Sequence, residues 1–285
     1  MLSKHKTNRL TMVTKTVAIY VFFDDILKSM DYKEPINRKT TDAEIATVIL
    51  IAARYFGGNI ETSIGFVRST GLMPTMLGKS RFNRRMHKIG ELLTELFFYL
   101  GQAVKELNIS QTYCIDSFPV AVCQNIRIPR CRIIQGKEYR GYCVSKRTYF
   151  YGFKVHVIIT SEGIPVEYTF TTGNVHDLDG MKQLPLNLPK GSEILADSAY
   201  TDYTAEEMML DEGIRLLAAR KSNSKMPHNP CTEYLISIGR KRIETAFSDI
   251  AKYMPKKIHA VTETGFLIKL IAFIWAYTFE KIDDL

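Results

Sequence analysis

The sequence predicts a mixed α/β protein in which an all-helical N-terminal region precedes a mixed sheet flanked by helices. Three observations carry this. Up to about residue 110, apolar residues recur at three- and four-residue spacing, as a buried helical stripe requires. From 111 to 173 the chain is rich in β-branched and aromatic residues, which suit a pleated, half-buried surface. Beyond 173, short strands alternate with helical stretches, the pattern of a sheet covered by helices. The division expected is a helical, helix-turn-helix-like region at 1–110 and a sheet-bearing domain at 111–285.

The helical elements come first. "TDAE" at 41–44 fits a capping box, with Thr41 as N-cap and Glu44 reaching back, and Gly57-Gly58 stops the helix it starts. A second helix is expected at about 59–70, ended by Gly71. A third begins near Ser80, where Phe82, Met86, Ile89, Leu93, Leu96, Leu100, Val104 and Leu107 keep one face apolar. Three helices with short turns suit a helix-turn-helix module, a pattern shared by many small bundles. The third helix opens on "KSRFNRRMHK", which places Lys79, Arg81, Arg84, Arg85 and Lys88 together without an acid. Cations at the positive end of a helix are unfavourable unless a phosphate docks there, so DNA contact is expected of Arg81, Arg84, Arg85 and Lys88. A solvated basic face is the alternative.

The sheet follows. Strands are expected at 111–123, 149–160 and 163–173, the last two joined by a turn at Ser161–Gly163. A helix at about 177–184, a strand at 193–197, a helix at 203–212 and a strand at 214–219 come next. A helical block runs from Pro230 to Tyr253 and is stopped by Pro255. The segment 124–148 is neither clean strand nor clean helix. It holds seven Lys or Arg, among them Arg130, Arg140 and Arg147, against Glu138 alone, with Tyr139, Tyr142 and Tyr149 in or beside it. Cations interleaved with aromatics suit a loop that grips a DNA strand or stacks its bases; a solvated loop is the alternative.

Bulk properties narrow the partners. The chain is 46% hydrophobic with a formal charge of +8. Residues 1–110 carry 16 Lys/Arg against 10 Asp/Glu, leaving 22 against 20 for the rest out of totals of 38 and 30. A basic first third points to a polyanion. The run at 266–279 is too short to span a bilayer and contains Lys269, so a core helix is expected and no membrane role. The five cysteines lack metal-ligand spacing, and their odd number suggests reduced thiols in the cytoplasm.

Asp116 in "YCID" sits within an apolar strand-like run, and Asp197 in "ILAD" stands at the exit of another. Lone buried anions are costly, and a divalent cation between them removes the penalty. Two such ions about 4 Å apart can drive in-line phosphodiester displacement. Glu244 in "GRKRIETAF" is the third acid that completes the cage, at the edge of a helix whose buried face carries Ile243 and Phe247. A plain Arg240–Glu244 surface pair is the alternative for it, and Asp249 and Glu233 are weaker substitutes.

Asp116, Asp197 and Glu244, in this order on a first strand, after a fourth strand and on a late helix, resemble the triad of RNase H-like DDE transposases from bacterial insertion sequences. "GFKVH", "GNVHD" and "ADSAY" resemble the same group, and "SRFNRR" resembles the N-terminal region of one subfamily; together these span about 40–255. Ser237 and Ala251 depart from a tyrosine and a lysine that part of the superfamily carries around its third acid. The resemblance implies an RNase H-like fold and a transposase that binds terminal inverted repeats and cuts and joins DNA. It also implies two Mg²⁺ (or Mn²⁺) ions on the triad and a homodimer or larger assembly on DNA, in the bacterial cytoplasm at the nucleoid. Arg240 and Lys252 are then phosphate contacts, and Lys154, His156, His176 and Asp177 lie near the site. A nuclease of the same fold that joins nothing, or an inactive DNA-binding relic, are the alternatives.

Overall fold

The computed structural model describes residues 2–34, 37–144 and 146–283; Ser145, inside the basic segment, lies outside them. Two compact units divide the chain: Met1–Leu96 with Tyr253–Tyr277, and Phe97–Lys252 with Thr278–Leu285.

The first unit is built from helices α1 (Leu2–Ser29), α2 (Asp42–Phe56), α3 (Ile60–Ser69), α4 (Lys79–Lys88), the start of α5 (Gly90–Leu107) and most of α9 (Glu263–Asp283). Thr41 caps α2 in a full capping box: its Oγ1 accepts from Glu44 N at 3.1 Å, and its own N donates to Glu44 Oε2 at 2.8 Å. Gly57, left-handed at φ 55°, ends the helix. The single helix expected from Ser80 to Leu107 is two, broken at Ile89. A Cβ on Gly90 would come within 3.0 Å of Ile268 Cδ1, so α9 packs closely against the start of α5. The apolar stripe continues through the break, which is why spacing alone does not reveal it. Trp275 on α9 anchors this unit's core, donating Nε1–H to Leu93 O at 3.1 Å and meeting Phe23 edge-on at 5.5 Å.

The second unit is a six-stranded mixed sheet: β1 (Thr112–Cys123), β2 (Arg140–Cys143), β3 (Thr148–Thr160), β4 (Pro165–Thr172), β5 (Glu193–Ala196) and β6 (Arg215–Ala218). The order is β2-β3-β1-β5-β6, with β4 also paired to β3. β1, β3 and β4 are antiparallel neighbours, whereas β5 and β6 continue parallel to β1. Helices α6 (Asp177–Met181), α7 (Tyr203–Asp211) and α8 (Pro230–Tyr253) flank it. Tyr113 and Ile115 point into a core with Met181, Leu184, Tyr200 and Met209. This mixed sheet flanked by helices is consistent with an RNase H-like fold.

The compact units are drawn differently from a cut at 110. The C-terminal half of α5 belongs with the sheet because Phe97 and Phe98 pack on Tyr168 at 4.9 and 5.4 Å. Lys105 also forms a buried pair with Glu167 at 2.6 Å there. The basic segment 124–148 contains a 3-10 turn (Asn125–Arg130) and strand β2. Among the described residues no single helix is long and apolar enough to cross a membrane. α2 and α3 pass that test only together, and they bend by 107°.

Candidate active site

The period of two along β1 puts Cys114, Asp116 and Phe118 on one face. Helix α8 lies over that face. A Cβ on Gly239 would sit 2.9 Å from Cys114 Sγ and 2.6 Å from Leu195 Cδ1, and Phe247 meets Phe118 at 4.7 Å between rings. Eight helical residues rise about 12 Å and four strand residues about 13 Å, so α8 runs alongside β1 in step with it. That brings residues 243–244 level with Asp116.

β5 fixes the second acid. Its parallel register with β1 pairs Thr112 with Glu193 and ends with Ile115 beside Ala196. One step further along both chains are Asp116 and Asp197, on strands about 4.8 Å apart. Each carboxylate accepts the next backbone N–H, Asp116 from Ser117 at 2.7 Å and Asp197 from Ser198 at 2.5 Å. Burial, then the fields of Asp177 and Asp197, raise the Asp116 carboxyl to about 7, against the lowering effect of the Ser117 hydrogen bond and Arg240. Arg240 Nη2 lies 3.5 Å from Asp197 Oδ2.

Asp177, expected only near the site, is a third acid within electrostatic reach of Asp116. Ser117 Oγ donates to its Oδ1 at 2.6 Å, and Lys154 Nζ donates to the same oxygen at 3.1 Å and to Val175 O at 2.8 Å. His176 precedes it at the N-cap of α6 and makes no side-chain cap bond. His156 is fully buried, with Nε2 2.9 Å from Thr171 Oγ1. A Cβ on Gly180 would lie 2.1 Å from its ring, so α6 closes over the histidine through a glycine. Burial lowers its pKa to about 4, keeping the ring neutral near pH 7. Tyr200 in "ADSAY" is a site residue that sequence reasoning missed. It is fully buried, and its hydroxyl lies within reach of the Ser117 side chain. Burial, then the fields of the three aspartates, hold that hydroxyl protonated.

Glu244 is exposed on α8, one turn beyond Arg240. Among the described residues, no group of three or more His, Cys, Asp or Glu side chains is gathered closely enough to hold a metal ion. The donor chemistry nevertheless fits a divalent cation at two positions. Asp116 is a half-buried carboxyl without an ion pair, and Asp197 offers a second hard oxygen donor beside it. Asp249 pairs with Lys252 at 2.6 Å, and Glu233 accepts from Arg220 N at 3.3 Å, so both substitutes have structural employment.

The expected DNA contacts separate. Arg81 is exposed on α4. Arg84 and Lys88 line a groove of about 470 Å³ with His87, His259 and Lys269 in the same unit. Arg85 instead donates to Asp42 Oδ1 at 2.5 Å and to Thr40 O at 3.3 Å. Asp42 is fully buried and also holds Arg38 and, at 3.0 Å, the Tyr32 hydroxyl. Arg85 is therefore engaged inside its own unit. Arg130, Arg140 and Arg147 are all exposed.

Acids so placed suit an enzyme that works on phosphodiesters. The sequence matches the transposase DDE domain family over residues 107–261, more than half of the chain, and the chain belongs to that family. It is a DDE transposase, an enzyme acting on DNA. No curated protein matches it. Among solved structures it is similar to a piggyBac transposase synaptic complex with hairpin DNA seen by cryo-EM. There the identity is 12% and the TM-score 0.45, over 94% of this chain and 73% of that one.

Proposed function

We propose that this chain is an insertion-sequence transposase that binds terminal inverted repeats and carries out metal-dependent strand cleavage and strand transfer. The observation that carries the reading is the β1–β5 register, which sets Asp116 beside Asp197 beneath α8. Asp116 and Asp197 would hold divalent ions, two Mg²⁺ or Mn²⁺, with Glu244 reaching in from the level of Asp116. When bound, such ions activate a water or a 3′-hydroxyl and stabilise the leaving oxygen of an in-line displacement.

The chain's own groups do the rest. Asp116 would bind an ion as the carboxylate, its proton passing to solvent. Arg240, free to turn from Asp197 once other positive charge is present, meets a phosphate oxygen at the mouth. Lys154 and Ser117 fix the Asp177 carboxylate and keep the β1–α6 wall of the site in place. Arg84, Lys88 and the exposed arginines of 124–148 position backbone phosphates, and both element ends are held in a dimer or larger assembly, in the bacterial cytoplasm.

The test uses purified protein, Mg²⁺ or Mn²⁺, and DNA carrying the element's own ends. Wild type is expected to release 3′-hydroxyl ends and give joined product. Asp116→Ala and Asp197→Ala are each expected to lower both steps at least a thousandfold while DNA is still bound. Cleavage without joined product would leave a nuclease, and activity surviving in both variants would overturn the site.

A further inference from the structure

A second feature adjoins the acids and has no part in holding ions. A groove of about 790 Å³ is lined by Lys154 and Asp177 from the site and by Arg140, Tyr142, Tyr149 and Asn174. We propose that it receives one unstacked base of the DNA strand next to the phosphate being processed, an inference that rests on the DNA-cutting reading above.

Tyr142 and Tyr149 face each other across the β2–β3 register, with rings 4.9 Å apart at 56°. They are 46% and 70% exposed, so their rings contribute little to any core and present open aromatic faces. Their strands are held tightly beneath them. A Cβ on Gly141 would lie 2.3 Å from Gly173 O, and one on Gly173 would lie 2.6 Å from Tyr139 O. Glycine at both positions lets the β2 backbone close against the end of β4, giving the groove a backbone floor. Asn174 accepts from Thr172 Oγ1 through its side-chain oxygen at 2.8 Å, which leaves its amide N–H groups for an acceptor on a base edge.

The occupant follows from charge and continuity. Arg140 supplies positive charge on a groove that shares Asp177 with the acid cluster, so a phosphate at the acids brings its own nucleotide to the groove. A base inside a duplex is stacked on its neighbours and cannot meet a tyrosine face. An unpaired or extruded base can, and stacking on an aromatic ring accepts any of the four. The volume falls within the range of small-molecule sites, roughly 300–1,000 Å³.

The experiment compares binding of the full chain to two duplexes of the same sequence, one fully paired and one with a single unpaired 2-aminopurine. Wild type is expected to bind the second roughly tenfold more tightly and to quench its fluorescence. In Tyr142→Ala/Tyr149→Ala the two affinities converge and the quenching is lost, while Tyr142→Phe/Tyr149→Phe, which keeps both rings, retains both effects. Equal wild-type affinity for the two duplexes, or a preference that survives the double alanine change, overturns the base site and leaves the transposase reading standing. Failure to bind either duplex overturns both.

Discussion

Asp116 shows how one residue joins stability to chemistry. Its carboxyl titrates at about 7 when folded, against 3.8 as a free aspartate, chiefly because it is buried. The unfolded chain therefore releases this proton earlier, and the residue lowers stability as pH rises from about 4 to 7, after which its cost is constant. Asp116→Asn removes the dependence without much change of shape. In metal-free protein the variant is expected to match wild type near pH 4 and to exceed it by up to a few kcal/mol above pH 7. Urea unfolding at pH 4, 6 and 8 checks this; an advantage that fails to grow with pH means that Asp116 is not held neutral. His156 has the opposite sign. Its folded pKa of about 4 lies below that of the unfolded residue, so its contribution is present above about pH 6.5 and is lost as pH falls toward 4.

Helix α8 carries the acid-facing groups as a unit, and Gly239 sets how closely it lies on the sheet. A methyl there meets Leu195 and Cys114, both buried, so Gly239→Ala is expected to cost about 1–3 kcal/mol. It also lifts Arg240, the next residue, and with it Glu244. Strand cleavage should then fall at least tenfold while DNA affinity changes little; cleavage at the wild-type rate in a folded variant would show that α8 does not position the site. The helices and strands near this site are legible in sequence because each carries its own period. The capping box at Thr41 and the acids at 116 and 197 are local signals, and a carboxylate within or just after an apolar strand is conspicuous. What is not legible depends on partners far along the chain. Asp177 joins the cluster through Ser117, 60 residues away, and Arg85 meets Asp42 across 43. Strand β2 is four residues long, includes a glycine and lies in a run of cations, so no alternating pattern announces it.

At the scale of the whole molecule the question is how a charge of +8 is put to use. Counting cations in "KSRFNRRMHK" treats its arginines alike, whereas the fold divides them: Arg84 and Lys88 line an open groove, and Arg85 is turned onto a buried aspartate. Cations that neutralise DNA phosphates release counterions, so each should contribute about 0.9 to the slope of log affinity against log salt. Arg84→Ala and Lys88→Ala are expected to leave the fold intact and to reduce that slope by about 0.9 each. Arg85→Ala should leave the slope unchanged but destabilise the first unit by roughly 2–3 kcal/mol, less than the loss of an isolated buried pair because Arg38 still faces Asp42. Filter-binding titrations between 50 and 300 mM salt, run beside thermal unfolding, separate the two outcomes. Were Arg85→Ala to flatten the slope as Lys88→Ala does, the pairing with Asp42 would have to open on DNA, and the basic cluster would be acting as one surface.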